Sequence, residues 1–291
     1  MPNFYLSHEE IDAIVTALLG FNEDKIGPSL LAETYIPDKQ IYEGNKLIIS
    51  NNCQGCHIID GIGGHIAENY SGPEFSPPNL NTEGAKVQPD WVFNWFHNPY
   101  TVRPNLQVRM PSFNMTDSEW NSIIKAFQYK DNDLLDFESD LDYDVSSDHF
   151  KAGVKLHELG ACDNCHFYGT DFPKQAPQTW APNLALTKER LQADWVIEWL
   201  RDPQKIMPGT KMPAPYLPDS LALSLPGAEA NWGEYLTKLG ADKEKMLVGL
   251  RDYIFSIEGK VDISKEIKDY FKKNGYDFEE EEEEDYEDEE W

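Results

Sequence analysis

The sequence predicts an all-α protein built from two tandem helical domains, and three observations predict it. The pattern Cys-x-x-Cys-His occurs twice, as Cys53-Gln54-Gly55-Cys56-His57 and Cys162-Asp163-Asn164-Cys165-His166, and uses all four cysteines. The residues around the two copies recur in the same order, the mark of an internal repeat. Each half also carries a tryptophan pair at i, i+4, Trp91/Trp95 and Trp195/Trp199, which places both rings on one face of a short helix. The length of 291 residues fits about two domains. An apolar fraction of 40% with 12% aromatics supports packed cores and excludes wholesale disorder.

The repeated elements follow in order. Gly44 and Gly153 each lie nine residues before the first cysteine of a motif, in a helical stretch where a missing side chain lets another helix approach closely. Pro78-Asn79-Leu80 corresponds to Pro182-Asn183-Leu184, and Asp90-Trp91-Val92 to Asp194-Trp195-Val196. Asp90 and Asp194 are placed to cap the tryptophan helices, and Pro99 and Pro203 to stop them. The apolar faces of these helices read as core packing. The first half holds five more residues between histidine and Pro-Asn-Leu, where Gly61, Gly63 and Gly64 point to a looser loop. The second half holds an insertion at about 215–241, rich in Leu, Pro and Gly, that covers a cofactor edge or forms a partner surface.

Three chemistries use closely spaced cysteines. A thioredoxin-like pair needs one motif at a helix start. A structural zinc site needs four ligands, so the two pairs would have to meet, leaving both histidines unexplained. Covalent attachment of haem c explains all six residues: two thioether bonds per haem from Cys53 and Cys56 or from Cys162 and Cys165, and an iron ligand from His57 or His166. The iron's other axial position is filled, in an electron carrier, by a thioether that raises the potential. Met110, in Val108-Arg109-Met110-Pro111, and Met212, in Gly209-Thr210-Lys211-Met212-Pro213, stand in Pro-containing polar loops downstream of each motif. Their rivals are Met115, read as core, and Met207. Histidine in place of methionine is the weaker alternative among His8, His65, His97, His149 and His157.

With glycine-bearing helix, Cys-x-x-Cys-His, Pro-Asn-Leu loop, helix, Met-Pro loop and closing helix in sequence, each half resembles a class I (mitochondrial-type) cytochrome c domain. The resemblance implies a small helical fold wrapped around one covalent haem in residues 38–129 and again in 149–260. It favours Met212 over Met207 through Gly209-Thr210-Lys211-Met212. It further implies that the carbonyls of Pro78 and Pro182 accept a hydrogen bond from Nδ1 of His57 and His166, which orients the rings and tunes the ligand.

Between these domains, residues 130–148 carry eight acids without Gly or Pro and read as an extended charged linker. The final segment, 261–291, ends in a tail with twelve acids between Asp277 and Glu290, too polar to fold alone. The N-terminal segment, 1–37, opens with Met1-Pro2-Asn3-Phe4 and Ser7-His8-Glu9-Glu10, which parallels Met110-Pro111-Ser112-Phe113 and Thr116-Asp117-Ser118-Glu119. It reads either as an ordinary start before a capping helix or as the end of a preceding cytochrome domain. Residues 1–20 lack the basic segment of an export signal, although the family resemblance implies haem attachment outside the cytoplasm.

A formal charge of −27, from 25 basic and 52 acidic residues, excludes nucleic acid as a partner and suits proteins with basic docking surfaces. No apolar run reaches the roughly 20 residues of a membrane span. The expected function is therefore that of an extracytoplasmic dihaem electron carrier, without catalytic residues. Its partners would be a bc-type complex, a terminal oxidase or a dehydrogenase. The enzymatic alternative is a dihaem cytochrome c peroxidase, which needs an iron with an open axial position.

Overall fold

The computed structural model describes residues 6–7, 9–11, 13–15, 39–70, 76–100, 102–103, 106, 108–131 and 141–275. The acidic tail, most of the acidic linker (132–140) and most of the N-terminal segment lie outside the described residues. The chain divides into two units, 1–39 and 40–291. In the first, Ser7 N–H and Oγ–H donate to Glu10 Oε2 at 2.8 and 2.9 Å, and Glu10 N–H donates back to Ser7 Oγ at 3.3 Å. Thr116 and Glu119 form the same reciprocal box. The two boxes share their sequence pattern and their local geometry.

The second unit consists of two helical lobes. In the first lobe, α1 (Lys39–Ser50) leads through α2 (Cys53–Cys56) into a two-stranded hairpin of β1 (Ile58–Ile59) and β2 (Ile62–Gly63). Asp60 and Gly61 both take positive φ, 56° and 75°, as a tight hairpin turn requires. Then come α3 (Glu83–Lys86), α4 (Pro89–His97) and α5 (Asp117–Lys130). The core joins Ile48, Ile59, Trp120, Ile123, Ala126 and Phe127. Helices α1 and α5 cross backbone to backbone: a Cβ added at Gly44 would stand 1.9 Å from the Ser122 carbonyl oxygen.

The second lobe repeats this plan with additions. α6 (Asp148–Leu159) leads into the second motif, followed by α7 (Thr187–Arg190), α8 (Ala193–Arg201) and α9 (Pro203–Ile206). The insertion at 215–241 forms three short helices, α10 (Ser220–Ser224), α11 (Ala228–Trp232) and α12 (Glu234–Leu239). Leu236 of α12 is fully buried and belongs to the main core of the lobe. The closing helix α13 (Lys243–Phe255) packs against α6 through Leu156, Met246, Leu247 and Leu250.

Several boundaries differ from the sequence reading. The tryptophan helices begin earlier than an aspartate cap would allow. Gln88 and Gln192 occupy the cap positions, without a side-chain cap bond, and Asp90 and Asp194 sit inside the first turn. There each carboxylate still meets the positive end of the helix dipole. The ends of the acidic segment belong to the lobes. Asp131 is buried and accepts the Gly84 N–H at 2.8 Å, and Leu141 and Tyr143 pack on the second core. Beyond residue 260, α14 (Ser264–Lys273) lays Ile267, Tyr270 and Phe271 against Phe167, Phe172 and Trp180.

The two lobes meet by a reciprocal exchange. Val87 and Leu191 form an antiparallel bridge, Gln88 N–H donates to the Arg190 carbonyl, and Gln192 N–H donates to the Lys86 carbonyl, both at 2.8 Å. The Gln88 side chain donates to the Lys188 and Leu191 carbonyls at 2.6 and 3.0 Å, and that of Gln192 to the Val87 carbonyl at 3.4 Å. Equivalent residues of the repeat thus contact one another, as at an isologous dimer interface.

Candidate haem-attachment sites

Both cysteine motifs are entered through a non-glycine residue in the left-handed region: Asn52 at φ 53° and Ala161 at φ 48°. Such a residue costs about 1–3 kcal/mol, held here by the packed helix before it. It turns the chain sharply out of α1 and α6 into the motif. In α2, Cys53 and Cys56 lie three apart on one helical turn, so both thiols share a face. The second motif opens with a 3₁₀ turn, Cys162–Asn164. His57 N–H donates to the Cys53 carbonyl and His166 N–H to the Cys162 carbonyl, both at 2.9 Å.

All four cysteines are unpaired and partly buried. Burial raises the Cys53 thiol and pushes Cys162 up to about 11. A thioredoxin-type pair needs the reverse, a thiol depressed toward neutrality. Among the described residues the two pairs and their histidines do not come together as a metal-binding cluster, so a shared zinc site is not formed.

The histidines are arranged as metal ligands are. His57 Nδ1–H donates to the Pro78 carbonyl and His166 Nδ1–H to the Pro182 carbonyl, both at 2.8 Å. A carbonyl only accepts, so the proton sits on Nδ1 and the Nε2 lone pair is left for a metal. Burial lowers the pKa of both rings and favours the neutral, ligating form. In the second lobe Asn183 fixes the acceptor loop. Its side chain donates to the Gly169 and Lys260 carbonyls at 3.1 and 3.0 Å and accepts from the Gly169 and Ala185 N–H groups at 3.0 and 3.1 Å. The first-lobe equivalent, Asn79, accepts the Asn81 N–H at 2.8 Å.

The methionines divide clearly. Trp199 Nε1–H donates to Met212 Sδ at 2.8 Å, and Met212 packs on the second core. A thioether sulfur has two lone pairs, so one remains for a metal. Met207 instead ends the turn of α9, its N–H bonded to the Pro203 carbonyl. Met115 packs into the first core. Met110 is half-buried in the irregular stretch before α5.

Of the other histidines, His97 Nδ1 meets the Phe93 carbonyl at 2.8 Å and Nε2 meets Asp117 Oδ1 at 3.0 Å. His157 bonds the Tyr168 hydroxyl and stands edge-on to Tyr253. His149 lies beside Asp252. His65 opens a 3₁₀ turn, His65–Asn69. His8 lies outside the described residues. The roles of Trp199 and Asn183 were not read from the sequence. The i, i+4 tryptophan spacing identified the face that Trp199 occupies, but not the sulfur its N–H would meet.

The donor set fits covalent haem: two thiols per turn, a neutral histidine with Nδ1 anchored, and in the second lobe a presented thioether. Comparison with known proteins agrees for the first lobe, where the family model described as Cytochrome c matches residues 41–125. No curated protein and no solved structure matches the chain. The matched segment is thus similar to cytochrome c domains, a family whose members carry covalently bound haem c and transfer electrons.

Proposed function

We propose that the chain is an extracytoplasmic dihaem c-type cytochrome that carries electrons between protein partners. Haem c would be held by Cys53, Cys56 and His57 in residues 38–129, and by Cys162, Cys165 and His166 in residues 149–260. Met110 and Met212 would complete the two iron coordination spheres. The haem iron supplies one-electron exchange between Fe(II) and Fe(III).

The chain's own part is to hold and tune. Pro78 and Pro182 fix the histidine rings through their carbonyls. Trp199 holds the Met212 sulfur, and the buried faces exclude water, all of which set the potential. With a histidine and a methionine offered to each iron, no position would stay open for a peroxide, which favours a carrier over a peroxidase.

The observation that carries this reading is the set of features that the two motifs share. Each has a left-handed residue, a cysteine turn, and a histidine bonded at 2.8 Å to a proline carbonyl. Matured protein should give an alkaline pyridine haemochrome of two haems per chain and a mass raised by two haems. One haem would confine the reading to residues 41–125, and none would end it.

The acidic surface further supports partners with basic docking faces, such as a bc-type complex, a terminal oxidase or a dehydrogenase. Reduction by a cationic redox partner should slow as ionic strength rises from about 0.01 to 0.15 M, where the screening length falls from about 30 to 8 Å. A flat dependence would remove electrostatic docking.

A further inference from the structure

The face where the lobes meet gathers more positive than negative charge, on the buried Lys86 and the half-buried Arg103 and Arg190. Lys86 and Arg103 of the first lobe and Arg190 of the second surround one carboxylate, Glu83. Lys86 Nζ donates to Glu83 Oε2 at 2.8 Å, with both side chains nearly buried. Arg103 Nη2 donates to the Ser76 carbonyl at 2.7 Å. The Arg190 guanidinium crosses into the first lobe, lies 5.2 Å from the centre of the Trp91 ring and stands near Tyr100. Its Nε is buried and has no hydrogen-bond partner among the described residues.

Three cations around one anion leave two positive charges uncompensated in a chain whose net charge is −27. Cations partly withdrawn from water and in excess over their carboxylates favour a further anion beside them. Ser76, which accepts from Arg103, stands two residues before Pro78, whose carbonyl accepts from His57 Nδ1, so the cluster borders the first cysteine motif.

We infer that this cluster seats the carboxylate edge of the first haem, and that Arg190, supplied by the second lobe, pairs with a propionate across the lobe boundary. The inference rests on the haem reading above. The two propionates of a haem carry the two negative charges that the cluster lacks. Lys86 is paired with Glu83 and Arg103 anchored on the Ser76 carbonyl, whereas the buried Nε of Arg190 has no partner among the described residues, so Arg190 is the donor most in need of an anion. Its planar fork suits bidentate pairing with a carboxylate. The first haem site is therefore completed by the second lobe, and docking of the lobes helps set the first potential.

The test is Arg190→Gln in the full-length, matured protein, followed by potentiometric titration and low-frequency resonance Raman spectroscopy. Met212→His, which displaces the second haem's wave, identifies the waves. A nearby positive charge favours the ferrous state, so Arg190→Gln should lower the first haem's potential. It should also shift that haem's propionate bending band and leave the second wave in place. Lys238→Gln, at an exposed pair with Asp148, should move neither wave.

An unmoved first wave, or a shift of the second wave alone, would overturn the inference. If Arg190→Gln does not mature, Arg190→Lys keeps the charge but loses the fork. It should shift the propionate band of one haem, and an unshifted band would be equally fatal. A normal haemochrome with an unmoved first wave refutes only this inference, whereas an absent haemochrome refutes the haem reading itself.

Discussion

Met212→Ala is expected to leave the second haem high-spin in the ferric state and to lower its potential on the order of 0.1 V, with the first haem unchanged. A thioether ligand would stabilise ferrous over ferric iron, and alanine offers no donor in its place. At Met207, the alternative sulfur, no hydrogen bond holds Sδ among the described residues, in contrast to the Trp199 N–H on Met212 Sδ. Met207→Ala should therefore leave both waves in place.

Trp199→Phe separates the ligand from its support. It keeps an aromatic ring against Trp195, whose centroid lies 5.2 Å away, but removes the N–H that reaches Met212 Sδ at 2.8 Å. A neutral hydrogen bond of this kind contributes about 1 kcal/mol, so the expected change is a weaker long-wavelength ferric methionine band rather than its loss. Optical titration of the three variants checks the series. Should Met207→Ala and not Met212→Ala disturb the second haem, the ligand assignment is wrong.

How much of this was legible in the sequence depends on how local each feature is. Cys-x-x-Cys-His places all its chemistry within five residues, so spacing alone identified both candidate sites. The glycines nine residues upstream were legible for the same reason, since the repeat put each on the helix leading into a motif. Helix starts were less so. Pro89 fits the first turn because it lacks an N–H, and this draws the start of α4 ahead of Asp90. Ala193 plays the same positional part before Asp194.

The lobe interface was not legible. Gln88, Gln192, Lys86 and Arg190 are polar residues at the ends of short helices, a type usually found exposed, and nothing in their spacing says that they face one another. The aromatic cluster of Phe167, Trp180, Tyr270 and Phe271 joins residues about a hundred positions apart, a distance over which periodicity carries no information.

Gly153→Ala should destabilise the second lobe by about 3 kcal/mol. Helices α6 and α13 cross at a reciprocal pair of glycines. A Cβ at Gly153 would lie 2.0 Å from the Gly249 carbonyl oxygen and 2.1 Å from its carbon. One at Gly249 would lie 1.9 Å from the His149 carbonyl oxygen. The obstructing atoms are backbone, so no rotamer change relieves the clash and the helices must separate.

Alanine's better helix propensity returns about 1 kcal/mol, but overpacking of this kind costs about 1–3 kcal/mol, and more where the backbone itself must move. Separation also strips contacts from Leu156, Leu247 and Leu250, which lie between the same helices at 2% exposure or less. Because α6 runs directly into Ala161 and Cys162, displacing it would misplace the second cysteine turn and reduce haem loading at that site. Val154→Ala, on the exposed side of α6, should cost under about 0.5 kcal/mol. Urea unfolding of matured protein compares the three chains, and equal midpoints for Gly153→Ala and the parent would show that the close approach of α6 and α13 is not required for stability.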